Sequence, residues 1–109
     1  MKYFINLSNN EGLTPIHYAC FNGNIDMAKL LEENGANINQ KSNSGLNILH
    51  FASQGDQPII FLYFLGRIDF SICDVMGNSP LHWACYNGSE KVVSFLLANN
   101  AQIDMPNND

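Results

Sequence analysis

Thr14-Pro-Ile-His-Tyr-Ala-Cys20 and Ser79-Pro-Leu-His-Trp-Ala-Cys85 are two copies of one phrase, and Asn47-Ile-Leu-His-Phe-Ala-Ser53 is a looser third. The histidines His17, His50 and His82 each stand five residues after a glycine, and those glycines (Gly12, Gly45, Gly77) recur at separations of 33 and 32 residues. Two residues past each histidine is an alanine (Ala19, Ala52, Ala84), and five or six past it a glycine (Gly23, Gly55, Gly88). A period in this range, with small residues in register, marks a solenoid of stacked units, none of which can bury its apolar side alone.

Working outward, each phrase opens with a residue whose side-chain oxygen can cap a helix: Thr14, Asn47 or Ser79. Pro15 and Pro80 follow at the first helical position, where a missing N–H costs nothing. The first helix is expected to stop near Asn22-Gly23 and Asn87-Gly88, because glycine takes the left-handed turn that ends a helix. A second helix follows with apolar residues at helical spacing: Met27, Ala28, Leu30 and Leu31, then Ile59, Ile60, Leu62 and Tyr63, then Val92, Val93, Phe95 and Leu96. Helices this short are marginal alone, so stacking must stabilise them. The Asn/Asp/Gly-rich links around residues 39–45 and 71–77 are expected to project as turn-like fingers.

The chain divides into units of about residues 9–41, 42–73 and 74–106, with residues 1–8 as the tail of a partial preceding unit. Ile5 falls in the register of Ile38, Phe70 and Ile103, and Asp104 to Asp109 match Asn39 to Ser44, so the array is expected to continue. With no clearly polar outer helix pair, the segment alone is expected to be marginally stable. Unit two lacks one residue, placed by this alignment between His50 and Gly55. Its second helix, Ile59 to Leu65, is apolar all round; Phe61, Phe64 and Leu65 either cover that gap or form a convex contact patch, and the exposure of Phe61 and Phe64 decides between them.

With 109 residues, five basic against ten acidic side chains and a net charge of -5, the chain suits one compact unit and offers no basic stripe for nucleic acid. The seven-residue apolar run Ile59–Leu65 is far short of a membrane span. Residues 3–5 are too short an apolar stretch for a secretory signal, and three cysteines without a C-x-x-C pair suit a reducing compartment. A cytoplasmic location, or the cytoplasmic segment of a membrane protein, is expected.

The repeated phrase resembles the ankyrin repeat, whose T-P-L-H-x-A is met as T-P-I-H-Y-A and S-P-L-H-W-A, and whose G-A-D-V-N tail is met as G-A-N-I-N at Gly35 to Asn39. The resemblance covers nearly the whole chain. It implies an all-α ankyrin-repeat solenoid of helix-turn-helix units that binds another protein and performs no catalysis. The stretches Gln54 to Pro58 and Pro80 to Glu90 also look like ankyrin arrays found ahead of the membrane-embedded palmitoyltransferases of ciliates. There the chemistry belongs to an Asp-His-His-Cys domain absent from this sequence, and an array of this kind would only recruit substrates.

Catalytic and metal readings fail on spacing. His17/Cys20 and His82/Cys85 each place imidazole and thiol on one helix face, but with helices packed about 8–10 Å apart the two pairs stand roughly 20 Å apart, too far for one zinc. The resemblance makes each histidine a framework residue bonded to its own loop, and puts each cysteine where a small buried residue is usual. Cys73 has no neighbour that would activate it, and Glu32 and Glu33 point in different directions. No phosphate-loop glycine pattern is present, so no cofactor is expected.

Surface therefore carries the expected function. Carried over by position, the concave face comprises Asn10, Glu11, Leu13, Phe21 and Asn22 from unit one. Unit two adds Asn43, Ser44, Leu46 and Gln54, and unit three Val75, Met76, Asn78, Tyr86 and Asn87. Aromatic and methionine side chains among asparagines are the composition of a protein-binding patch. Tyr18, Phe51 and Trp83 share one register and either line its edge or stack between units.

Overall fold

A computed structural model describes residues 2–99. Seven helices follow in order: α1 Lys2–Ile5, α2 Pro15–Phe21, α3 Ile25–Glu33, α4 Ile48–Gln54, α5 Pro58–Tyr63, α6 Pro80–Asn87 and α7 Glu90–Ala98. Among the described residues there is no strand. α2, α4 and α6 stack as one layer and α3, α5 and α7 as the other, so the all-α solenoid of helix pairs is the observed architecture. Ala19, Ala52 and Ala84 are buried between the layers, where a methyl group lets the helices close up. The expected end of unit three at residue 106, the register of Ile103 and the match of Asp104–Asp109 lie outside the described residues.

Each first helix opens as the sequence requires, with the histidine completing the cap. The backbone N–H groups of Thr14, Asn47 and Ser79 donate to Nδ1 of His17, His50 and His82 at 2.8, 3.0 and 2.9 Å. Asn47 Oδ1 accepts in return from His50 N–H at 3.1 Å and Ser79 Oγ from His82 N–H at 3.3 Å, and the side-chain oxygens of Thr14, Asn47 and Ser79 all lie within 3.0 Å of their histidine's Nδ1. Because Nδ1 must accept, the proton sits on Nε2, which donates to the Gln40 carbonyl from His17 at 3.0 Å and to the Asn78 carbonyl from His50 at 2.9 Å. These rings therefore join their own cap to the link that leads into the next unit, and His50 reaches that unit's finger.

Burial holds the imidazoles of His17 and His50 below the ordinary 6.5, with the bonds to Gln40 and Asn78 working the other way. The unfolded chain takes up protons near 6.5 that the folded rings refuse, so stability is full above that value and is expected to decline as pH falls through it toward the lower folded values. The limiting slope is about 1.4 kcal/mol per pH unit for each ring. Urea midpoints between pH 7.5 and 5 check this. Glu32, Asp69 and Asp74, held below ordinary values of 4.5 and 3.8, lose their contributions in a separate, more acidic range. A flat midpoint over the first range would contradict the neutral buried rings.

The missing residue of unit two lies elsewhere than expected. Gly23 and Gly88 take the left-handed conformation, with φ of 70° and 69°, but Gly55 has φ -90°, and the next residue, Asp56, is left-handed at 56°. Asp56 stands at the same distance from its histidine as Gly23 and Gly88, so α4 keeps full register. Aspartate tolerates this conformation better than most residues, and its Oδ1 also accepts from Val92 N–H in the first turn of α7 at 3.0 Å. The shortening falls in the second helix, where α5 ends after six residues against nine in α3 and α7.

Phe61 and Phe64 are fully buried, so they are core and not a convex patch. Phe61 meets Phe70 edge-on at 5.2 Å and Phe95 at 6.2 Å, tying the short helix to its own tail and to α7. Leu65, with Ile59 and Leu62, is half-exposed on the outside of α5. Beside it Arg67 closes on Glu32 of α3 at 2.6 and 3.2 Å and lies over the Tyr63 ring at 4.9 Å. This exposed pair adds little stability. Cys20 and its counterpart Ser53 are buried, but Cys85 is exposed, which corrects the expected burial of both cysteines. The cause is the neighbour: the next helix pair packs over Cys20 and Ser53, and no described pair follows α6 and α7.

Candidate functional site

The fingers are built from the residue eight positions before each histidine. Asn9 Oδ1 accepts from the Glu11 and Leu13 N–H groups at 2.9 and 3.0 Å, and Ser42 Oγ from Ser44 and Leu46 at 3.3 and 3.2 Å. Asp74 Oδ1 accepts from Met76 and Asn78, both at 2.9 Å. A side chain that satisfies two turn N–H groups fixes the finger without any sheet. Single backbone bonds then link finger to finger: Asn43 N–H to the Glu11 carbonyl at 3.0 Å and Val75 N–H to the Ser44 carbonyl at 3.1 Å.

In units one and three the same turn residue holds the aromatic just past the histidine. Asn9 Nδ2 donates to the Tyr18 hydroxyl at 3.0 Å, and the Trp83 indole N–H donates to Asp74 Oδ2 at 2.9 Å. Phe51 has no polar atom, and its partner position holds only Ser42. Burial opposes charge on Asp74, but the N–H groups of Asn78, Trp83 and Met76 outweigh it and keep the carboxyl below its ordinary range. Tyr18 is exposed, while Phe51 and Trp83 are partly buried, Phe51 standing 5.1 Å from the His17 ring. Tyr18 and Trp83 are thus tied to their fingers, while Phe51 stacks across the unit boundary on His17, and the three form a wall between fingers and helices. Sequence reading passed over the turn residues, although the signal was present: an oxygen-bearing side chain recurs eight places before every histidine.

Two cavities open along this wall. One, of about 330 Å³, is lined by Leu13, His17, Tyr18, Phe21, Asn22, Phe51 and Gln54. The other, of about 380 Å³, lies between the first two fingers, lined by Asn10, Glu11, Leu13, Ser42, Asn43, Ser44, Leu46 and Phe51. Leu13 and Phe51 border both, so the structure brings the nine residues singled out from units one and two onto one groove. The five from unit three line neither cavity: Val75 and Met76 project from the third finger, beside Ser44, Tyr86 and Asn87 are exposed at the end of α6, and Asn78 is partly buried in its turn. Phe21 is 41% exposed and Tyr86 83%, with Trp83 edge-on to Tyr86 at 6.0 Å. The histidines offer no free ring nitrogen in units one and two, and burial pushes the Cys20 thiol up to about 12, which keeps it protonated.

Comparison with known proteins gives two family matches: a sequence model of ankyrin repeats in three copies over residues 34–107, and one of a single ankyrin repeat over residues 11–43. A transient receptor potential cation channel subfamily A member 1 homolog of Caenorhabditis elegans is 32% identical over 97% of this chain and 9% of its own length. A probable E3 ubiquitin-protein ligase of Oryza sativa is 30% identical over 78% of the chain and 17% of itself. A palmitoyltransferase of Lachancea kluyveri is 28% identical over 83% of the chain and 13% of itself. The chain thus spans only between 9% and 17% of these relatives.

Proposed function

The chain belongs to the ankyrin repeat family, and from that premise we propose that it is a noncatalytic module that binds a protein partner through the groove bounded by the fingers and the first helices. The observation that carries this reading is that two cavities share Leu13 and Phe51 in their linings, with Phe21 exposed at the groove's edge. A surface held by capped helices and bonded turns loses little entropy on binding. A protein suits it better than nucleic acid, since the chain's cations are single and Arg67 is engaged by Glu32. A cytoplasmic setting is part of the proposal, supported by three free thiols; among the described residues no helix is long and apolar enough to cross a membrane.

For a partner identified by proximity labelling, Phe21→Ala at the groove's edge is expected to weaken binding by at least about tenfold, as an anchor of an interface does, and Tyr86→Ala, at the end of α6 and outside the two cavities, to weaken it less. Helical content should not change, because both side chains are exposed. Unchanged affinity measured by calorimetry would remove this surface from consideration, as would an equal loss from Leu30→Ala on the opposite face.

A second reading makes the chain the substrate-recruiting ankyrin segment of a membrane-bound protein S-palmitoyltransferase, supported by the Lachancea kluyveri relative. The channel and the ligase match at higher identity, so the likeness follows the repeat more than any one enzyme. An adjoining coding sequence with transmembrane helices and an Asp-His-His-Cys motif is the result this reading requires.

A further inference from the structure

The outer side of the second-helix layer is charged on its flanks and bare of charge in the middle. Asp26, Ile59 and Lys91 hold equivalent positions near the start of α3, α5 and α7. Lys29, Leu62 and Ser94 form the next row across these helices, and Glu32, Leu65 and Leu97 the third. Leu31, Phe64 and Leu96, one residue before the third row, are all buried, so the three helices are in step. α5 therefore presents Ile59, Leu62 and Leu65, exposed by 45%, 53% and 50%, where α3 carries Asp26, Lys29 and Glu32. An aliphatic ridge with a polar rim has the layout of an interface.

The rim also determines what fits it. Asp26 and Lys91 stand at the same height on opposite flanks of the ridge; both are exposed, and neither forms an ion pair among the described residues. A two-fold axis running along α5 lays α3 of each copy over α7 of the other, with the helices pointing the same way. Asp26 then faces Lys91 of the second copy at both flanks, while Ile59, Leu62 and Leu65 meet their own counterparts at the axis. The third row sets Glu32, already engaged by Arg67 at 2.6 Å, against Leu97. An axis at right angles to the helices would instead oppose Lys29 to Lys29 and Asp26 to Glu32, like against like. We propose that this ridge is a homodimer interface, isologous about an axis along α5 and closed by two Asp26–Lys91 pairs.

An anionic membrane suits the face less well, because Asp26 and Glu33 are exposed beside Lys29 on α3. Three half-exposed aliphatic side chains fall short of the area of a stable complex, which sets the dissociation constant on the order of 100 μM and leaves dilute unfolding assays to read the monomer. The ridge lies across the helix pairs from the groove, so pairing leaves both grooves open and gives a unit able to engage a partner at two points. It does not depend on what the groove binds.

Sedimentation of the full chain between about 10 μM and 1 mM is expected to show a reversible dimer, which Leu62→Asp abolishes. Asp26→Lys alone, or Lys91→Asp alone, opposes like charges at both flanks and should weaken association by at least about tenfold. Mixed in equal amounts, these two variants should pair again, since each meets its opposite charge twice, and Asp26→Lys with Lys91→Asp in one chain should pair with itself. Loss of fold cannot imitate recovery on mixing. The proposal is overturned if the chain stays monomeric up to about 1 mM, if the dimer survives Leu62→Asp, or if mixing restores nothing. It is equally overturned if Asp26→Lys strengthens pairing, as the perpendicular axis requires. Binding of a monomeric chain to phosphatidylserine vesicles, lost with Leu62→Asp, would give the ridge to lipid instead.

Discussion

Replacing Phe61 by alanine is expected to lower the unfolding free energy by about 3–5 kcal/mol, the usual loss for a fully buried phenylalanine. Part of that loss is hydrophobic transfer, and part is the space left between Phe70 and Phe95, whose rings both lean on Phe61. A domain of this size has only about 5–15 kcal/mol in total, so the variant should be largely unfolded in modest urea. Leu62→Ala, one residue along and 53% exposed, should change stability by no more than about 0.5 kcal/mol. Urea unfolding followed by circular dichroism measures both. Equal losses at the two positions would mean that α5 is not rotated as described.

Gly55→Ala should also destabilise, by about 1–3 kcal/mol, although alanine is the better helix former. With φ at -90° the backbone suits any residue, so the cost is purely one of space: a Cβ at Gly55 would come within 1.9 Å of the Phe21 carbonyl oxygen. Backbone on backbone cannot give way as a flexible side chain would, and α2 and α4 would have to part. Gly66→Ala provides the contrast. Nothing lies within 4 Å of a Cβ there, and only the left-handed φ of 79° is penalised, at roughly 1–2 kcal/mol. If Gly55→Ala left stability unchanged in the same assay, the close approach of units one and two would be wrong.

The fold was legible because three signals agreed at one spacing: cap, proline and histidine open each first helix, and every one of them acts within a few residues along the chain. What stayed hidden depends on neighbours. The apolar spacing of the second helices marked Met27 and Ile60 alike, yet one is exposed and the other buried, since among the described residues a preceding helix pair packs on Ile60 and none on Met27. Cys20 and Cys85 divide for the same reason at the opposite side. Gly55 misled the alignment because glycine serves two ends, a left-handed turn at Gly23 and a close approach at Gly55, and composition does not distinguish them. Of the groove, the finger residues and Phe21 followed from position alone. The recurrence of an oxygen-bearing side chain at positions 9, 42 and 74 was in the sequence, but that Asn9 and Asp74 also hold the aromatic nine residues on required coordinates, because Ser42 with Phe51 breaks the pairing in unit two.

That double duty restricts how the wall could be diversified. A library that varies position 83 alone would mostly strand the Asp74 carboxylate, and one that varies position 9 alone would cut loose the Tyr18 phenol. Workable alternatives come as matched couples, acceptor with indole, amide with phenol, or hydroxyl with plain phenyl, so rebuilding this surface for a chosen target means exchanging whole couples between repeats.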